Sequence, residues 1–366
     1  MTNRDRETAG VILALASLGK IGPIKIKMML AQARHPAEIL GWDIGRLQSI
    51  PGIGAELADR IKNNLDLDYG NRVVAWAGEK GYQVITFADA DYPPPLRELY
   101  DPPPFLFVKG TLEIGDYRAV AMVGSRNATE YGKTTAAQLA AELSRHGITV
   151  ISGMAVGIDA ACHRGALSGG GRTIAVLGSG IDVIYPRENK TLYGQIAEHG
   201  AVISEFLPGT DPNPGHFPRR NRLIAGLAQA VVVVEAGEKS GALLTADMAL
   251  AYGKKLFALP GNVTSRLSSG TNELIKSGAN ILTSIDDIFS VLPGMRNDYI
   301  APQKTVAVDL TEGEQLIFGH LSAAPVQLDT LMRECRLTVS DAASYLLSLE
   351  LRGLVKQLSG KRFIAV

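Results

Sequence analysis

Thr149-Val150-Ile151-Ser152-Gly153-Met154-Ala155-Val156-Gly157-Ile158-Asp159 decides how this chain is read. A short apolar run with no polar alternation passes into a turn of small residues and then into helical spacing. Strands covered on both faces need such unbroken runs, and strands reached by helical crossovers are parallel. The same texture extends outward in both directions. Val84–Phe87, Phe105–Val108, Val120–Val123, Ile174–Leu177, Val202-Ile203, Val231–Val234, Leu256–Leu259 and Ile281-Leu282 are further candidate strands. Helix-length segments at Thr135–Arg145, Asn189–Glu198 and Ala242–Tyr252 separate the later ones. This rhythm predicts an α/β fold built on a doubly wound, mostly parallel sheet over residues 81–293. The proline groups Pro93-Pro94-Pro95 and Pro102-Pro103-Pro104 interrupt its opening strands and predict an extended connection against the sheet.

The flanks read differently. Residues 1–80 are helical with glycine turns, and Ile50-Pro51-Gly52-Ile53-Gly54 followed by Leu57, Ala58 and Ile61 resembles the hairpin of a helix-hairpin-helix unit. Lys20-Ile21-Gly22-Pro23 resembles a degenerate copy, with Gly22 lying 32 positions before Gly54. Such hairpins can offer backbone amides to DNA phosphates, although few basic residues flank Gly52 and Gly54. A polar linker is expected at 294–308 and a winged-helix domain at 309–366, with helices at Glu314–Leu321, Leu328–Glu334 and Ser340–Arg352. Its hairpin is expected to pair Leu354–Gln357 with Phe363–Val366. The third helix carries Asp341 and Glu350 among apolar and small residues, so protein contact or support is expected of this domain ahead of duplex reading.

Composition sets the bounds. The chain has 366 residues, 46% hydrophobic and 20% charged, which describes a folded protein of two or three domains. Lys plus Arg equals Asp plus Glu at 37 each, so attraction for a polyanion has to come from local clustering. Cys162 and Cys335 are far apart and suggest free thiols rather than a disulfide framework. Asp5 and Glu7 cancel Arg4 and Arg6 ahead of the apolar run Val11–Leu18, which argues against a leader peptide, and no apolar run reaches bilayer length. A cytoplasmic protein is expected.

The local cluster is His216-Phe217-Pro218-Arg219-Arg220-Asn221-Arg222-Leu223-Ile224. Pro218 presets the first turn of a helix, and Leu223, Ile224 and Leu227 mark its buried face. Guanidinium forks at a helix N-terminus suit phosphate oxygens. Ligands of doubly wound sheets bind beyond the carboxyl ends of the strands, where this chain places Gly124-Ser125-Arg126, Ser152-Gly153, Gly178-Ser179-Gly180, Ser204-Glu205 and Ser240-Gly241-Ala242 with Thr245. The expected ligand-binding set is Gly124, Ser125, Arg126, Ser152, Gly153, Phe217, Arg219, Arg220, Asn221, Arg222, Ser240, Gly241, Ala242 and Thr245. Enlarging the small residues is expected to block backbone approach.

Competing motifs are weaker. Tyr131-Gly132-Lys133-Thr134-Thr135 imitates the end of a P-loop, but seven residues separate Gly124 from Gly132 where the phosphate cradle takes about four. Gly178-Ser179-Gly180 begins a dinucleotide fingerprint whose third glycine position holds Val183. Asp159 and His163 have helical spacing for a shared metal without an evident third ligand, and a local hydrogen bond accounts better for Asp159. Cys162 and His163 are adjacent on a helix and point apart. Neither cofactor, metal nor catalytic group is expected.

Taken in order, Val123-Gly124-Ser125-Arg126, Tyr131-Gly132, Ser152-Gly153 through Gly157-Ile158-Asp159, His163, Ala175–Gly178, Tyr185-Pro186, Ser204-Glu205, Phe217-Pro218 through Arg219, Asn221, Arg222 and Ile224-Ala225-Gly226, Glu235-Ala236, Ser240-Gly241, Thr245-Ala246, Pro260-Gly261 and Gly270-Thr271-Asn272 resemble the DNA-processing protein A family, also called DprA or Smf. The match spans the whole central segment, and the helical N-terminal and winged-helix C-terminal parts fit the larger members. Met154 and Cys162 are mild departures. The resemblance implies a Rossmann-like domain that binds single-stranded DNA without enzymatic action, protects incoming strands and loads RecA recombinase on them in natural transformation, as a homodimer with no membrane attachment. Phe217 would then stack on a base, unless it is buried in the sheet margin. Lysine-decarboxylase-like phosphoribohydrolases share a related architecture, but their Pro-Gly-Gly loop and catalytic Glu are replaced here by Gly237-Glu238-Lys239-Ser240-Gly241 leading to Thr245 and Asp247. A duplex-binding regulator led by the terminal domain is the third reading.

Overall fold

A computed structural model describes residues 3–296, 310–322, 325–352 and 354–365. The linker expected at 294–308 lies outside the described residues from position 297 onward, as does Val366 at the end of the terminal hairpin.

Each apolar run of the central segment forms a strand: β1 Gln83–Thr86, β2 Phe105–Gly110, β3 Ala119–Val123, β4 Thr149–Ser152, β5 Thr173–Val176, β6 Ala201–Ser204, β7 Ala230–Val233, β8 Lys255–Ala258 and β9 Asn280–Ile281. They make one sheet in the order β1-β2-β6-β5-β4-β3-β7-β8-β9. The pairs β1/β2 and β2/β6 are antiparallel and all others parallel. Strands β3 to β7 are buried at every residue, which is why they alternate no polar positions. Helices Glu130–Arg145 and Ile158–Ser168 pack together on one face, over Val120, Met122, Val150 and Val232. Helices His216–Leu227 and Gly241–Ala251 pack on the other, over Ala121, Val123, Ile151 and Val231.

The winding reverses at β3. From there the chain proceeds through β4, β5 and β6 to one side and through β7, β8 and β9 to the other. A crevice opens where crossovers leave in opposite directions, at the carboxyl ends of β3 and β7. Gly124–Arg126 and Glu235–Gly241 are the segments that follow those ends.

Pro94–Arg97 departs from expectation. It is a helical turn rather than an extended connection, because prolines in the first turn give up amides that would find no intrahelical partner. In the N-terminal part, Gly52 takes φ +80° inside the hairpin, and Gly54 and Gly22 stand at the starts of helices Ala55–Asn64 and Pro23–Gln32 with nearly the same backbone angles. Ile26, Met29, Ile50, Ile53, Leu57 and Ile61 bury the unit's core. The C-terminal part has helices Glu312–Gly319, Leu328–Cys335 and Val339–Leu351, the last capped by Thr338, whose hydroxyl accepts the Asp341 amide at 3.2 Å. Strand β11 Val355–Leu358 pairs with β12 Arg362–Ala365, and a two-residue strand β10, Val326–Gln327, completes this sheet on the far side of β12. The whole is an α/β molecule with helix-hairpin-helix and winged-helix appendages.

Candidate functional site

The crevice at the winding reversal is a cleft of about 750 Å³. One wall is a single face of helix His216–Leu227: Phe217, Arg220, Asn221 and Ile224 recur at the three-to-four spacing that places side chains on one stripe. Gly124, Ser125, Arg126 and Asn127 form the floor after β3. Lys239, Ser240, Gly241, Ala242 and Thr245 close it after β7, where helix Gly241–Ala251 begins.

Phe217 is half-buried, with one flank toward the cleft. The Arg126 guanidinium lies 4.7 Å from its ring centre, Arg220 lies 5.9 Å away, and the Tyr185 ring is 6.0 Å off at a 34° tilt. Gly178 makes room for it, since a Cβ there would fall 2.8 Å from Phe217 Cδ1. Arg126 itself is exposed.

Arg220 is 4% exposed and fastened from behind. Its Nη1 donates to Gly153 O at 2.7 Å and to Val176 O, and its Nε donates to Asn221 Oδ1 at 3.1 Å. Burial pushes its pKa down to about 10, with Asp159 pulling upward and Arg126 adding to the fall, so it stays cationic at neutral pH. Asp159, buried beside it, accepts the Ala155 amide at 3.3 Å, and burial raises its carboxyl pKa against the Arg220 charge. The other nearby acid, Glu235, accepts the Thr129 amide at 2.8 Å and the Thr129 hydroxyl at 2.9 Å. His163 hydrogen-bonds Thr173 Oγ1 at 2.7 Å, and that hydroxyl donates to Val150 O, so the ring's Nδ1 carries the donated proton. Among the described residues no group of His, Cys, Asp and Glu is arranged to hold a metal.

The arginine cluster is divided, which corrects the expectation of one continuous phosphate-binding lip. Arg219 and Arg222 are three apart on the helix and share a face turned away from the cleft. There both meet Glu205, Arg219 at 3.1 Å, while Arg222 also pairs with Asp101 at 3.2 Å and donates to Asp101 O at 2.8 Å. Arg222 is buried and serves as a brace between helix, β6 end and the Asp101 loop; Arg219 is half exposed beside the first hairpin, lining a second depression with Lys20 and Gly22.

Ser152 and Gly153 are also support rather than surface. The Ser152 hydroxyl donates to Met122 O at 2.6 Å, and a Cβ on Gly153 would stand 2.5 Å from Arg220 Nη2. Gly124 is small for packing: its Cβ would lie 2.6 Å from Ile158 Cγ1 and 2.9 Å from Glu235 O. Gly241 alone of the chosen glycines has open space around it. Asn127, Tyr185 and Lys239 line the cleft without having been selected from sequence; Lys239 sits inside a loop whose serine and glycine drew attention away from it.

Comparison with known proteins gives three matches to family models. Residues 83–293 match DNA recombination-mediator protein A, residues 301–361 the DprA winged helix domain, and residues 12–66 a SAM-like helix-hairpin-helix tandem. DNA processing protein DprA of Bacillus subtilis is 40% identical over 67% of this chain and 84% of its own. Protein Smf of a Synechocystis species is 33% identical over 96% and 97%. The crystal structure of DNA processing protein A from Streptococcus pneumoniae superposes with a TM-score of 0.68 at 33% identity, covering 79% of this chain and 98% of that one. The Helicobacter pylori protein, described for its single-stranded DNA binding mode, gives 0.54 at 32%, covering 59% and 97%.

Proposed function

Because this chain belongs to the DNA recombination-mediator protein A family, we propose that its central cleft binds single-stranded DNA and that the protein protects incoming strands and loads RecA on them during recombination and natural transformation. The observation carrying the reading is the grouping of Arg126, Phe217 and Arg220 opposite the start of helix Gly241–Ala251. Two cations and a helix N-terminus suit a phosphate backbone, and an aromatic ring with a cleft-facing flank suits a base of any identity. Backbone contacts and stacking carry no sequence information, which fits capture without sequence preference.

The residues assigned to the strand are Arg126, Phe217, Arg220, Asn221, Ser125, Ser240, Gly241, Ala242 and Thr245, with Lys239 added. Gly124, Ser152 and Gly153 hold that surface in place, and Arg222 braces the helix. The protein acts by binding rather than catalysis: Asp159 and Glu235, the buried acids beside the cleft, are each engaged by protein donors. A homodimer and a RecA-contacting surface complete the proposal, in the cytoplasm; no described helix is long and apolar enough to cross a membrane.

Fluorescence anisotropy with labelled oligothymidylate, followed by RecA filament assembly on strands precoated with single-strand-binding protein, tests both halves. Binding that is lost in Arg126→Ala and Phe217→Ala, together with faster RecA assembly in the presence of the parent protein, is the expected result. Undiminished binding by both variants refutes the cleft assignment, and unchanged RecA assembly refutes the loading role.

A further inference from the structure

The cleft does not end at Lys239. That residue also lines a side groove of about 480 Å³ with Glu238, Val263, Thr264, Ser265, Arg266 and Ser269. Ser265 in turn lines a third depression, of about 520 Å³, whose wall includes Tyr131, Pro260 and Asn262. The three share Lys239 and Ser265 in turn because the 260–268 loop and the start of the helix after it fold over the loop after β7: Gly270 N donates to Ala236 O at 2.8 Å, and a Cβ on Gly237 would meet Arg266 O at 3.0 Å.

The chemistry along this path resembles that of the cleft. Lys239 and Arg266 are exposed, and neither enters an ion pair among the described residues. Glu238 is the carboxylate beside them. At the far end Tyr131 is 54% exposed, far more than packing demands of a ring at the start of a helix. Its neighbour Glu130 is paired with Lys133 at 3.0 Å and Lys356 at 3.3 Å, and Glu235, the other carboxylate lining this depression, is buried with its oxygens turned to Thr129. Asn262 and Ser265 add polar side chains between the cations and the ring.

We infer that the groove from Lys239 across Arg266 to Tyr131 is a second strand-binding subsite, in which the two cations track the backbone and Tyr131 stacks a base beyond the reach of the central cleft. The inference rests on the strand-binding reading above, and it predicts that the two sites separate by strand length. Cations that track a backbone, followed along the same path by an exposed aromatic ring, are the arrangement by which proteins hold unpaired strands without reading them.

The test titrates the full chain with oligothymidylates of about 6 and about 20 nucleotides, lengths chosen to fill one subsite or several. Tyr131→Ala should weaken the longer strand by at least about 5-fold and leave the shorter within about twofold. Tyr131→Phe, which keeps the ring, should bind both like the parent. Arg266→Gln should lower the salt slope for the longer strand by about 0.7 and leave that for the shorter unchanged. Equal losses for both lengths, or no loss for either, would overturn the second subsite while leaving the cleft assignment intact. If the parent protein binds neither length, the strand-binding reading itself fails and takes this subsite with it.

Discussion

Replacing Arg126 and Arg222 separately should produce opposite phenotypes, although sequence places both among the phosphate-binding cations. Arg126 is exposed at the cleft and enters no ion pair among the described residues, its guanidinium lying against the Phe217 ring, so Arg126→Ala should leave stability within about 0.5 kcal/mol of the parent. It should reduce the slope of log affinity against log salt by about 0.7, the value for one phosphate contact on a single strand. Over a fourfold rise in salt the variant then loses about 2.6-fold less affinity than the parent. Arg222 faces Glu205 and Asp101 in a buried setting. Its removal strips the Glu205 carboxylate, 2% exposed, of a main partner, and the expected destabilisation is about 3–5 kcal/mol. The salt slope of the fraction that remains folded should not change. Anisotropy titrations across a salt series, paired with urea unfolding, read both quantities. A stable Arg222→Ala protein with a flattened slope would refute the division of the cluster.

Three further outcomes follow from particular contacts. Gly153→Ala places a methyl group 2.5 Å from Arg220 Nη2, so it should weaken strand binding through Arg220 and cost about 1–3 kcal/mol of stability by unfolding; parent-like values in both assays would contradict the support role. Gly178→Ala should weaken binding by displacing the edge of the Phe217 ring, and a crystal structure of the variant with an unmoved ring would count against this. His163 is buried, which lowers its pKa to about 3, with Arg220 and Arg164 contributing. The unfolded chain therefore binds a proton below about pH 6.5 that the folded chain refuses. The contribution to stability is full above that pH and declines by about 1.4 kcal/mol per pH unit as pH falls toward 3. Urea unfolding of the parent and of His163→Gln across this window should show a steeper acid decline in the parent; parallel curves would refute it.

The sheet was legible in the sequence because its evidence is local. An unbroken apolar run such as Val231–Val233 needs no distant information to be read as a strand buried on both faces, and the order of runs and helices implies the crevice. The two-residue β10 carried no periodicity and was missed. The arginine stretch shows where local reading stops. Helical spacing alone separates Arg220 from the Arg219 and Arg222 pair, but which face meets the cleft depends on Glu205 and Asp101. The latter lies 121 positions away, and nothing in the stretch announces it. The glycines carry a similar ambiguity. Gly153 is small to admit Arg220, while Gly124 both lines the cleft floor and leaves room for Ile158, and only the packed structure distinguishes these demands.

A crystal structure of the protein with a short oligothymidylate addresses the central claim most directly. The account predicts a phosphate within hydrogen-bond reach of Arg126 and the Gly241 amide and a base against the cleft-facing flank of Phe217. A strand lying along Arg219 and Arg222 instead, with the cleft free of nucleotide, would contradict it.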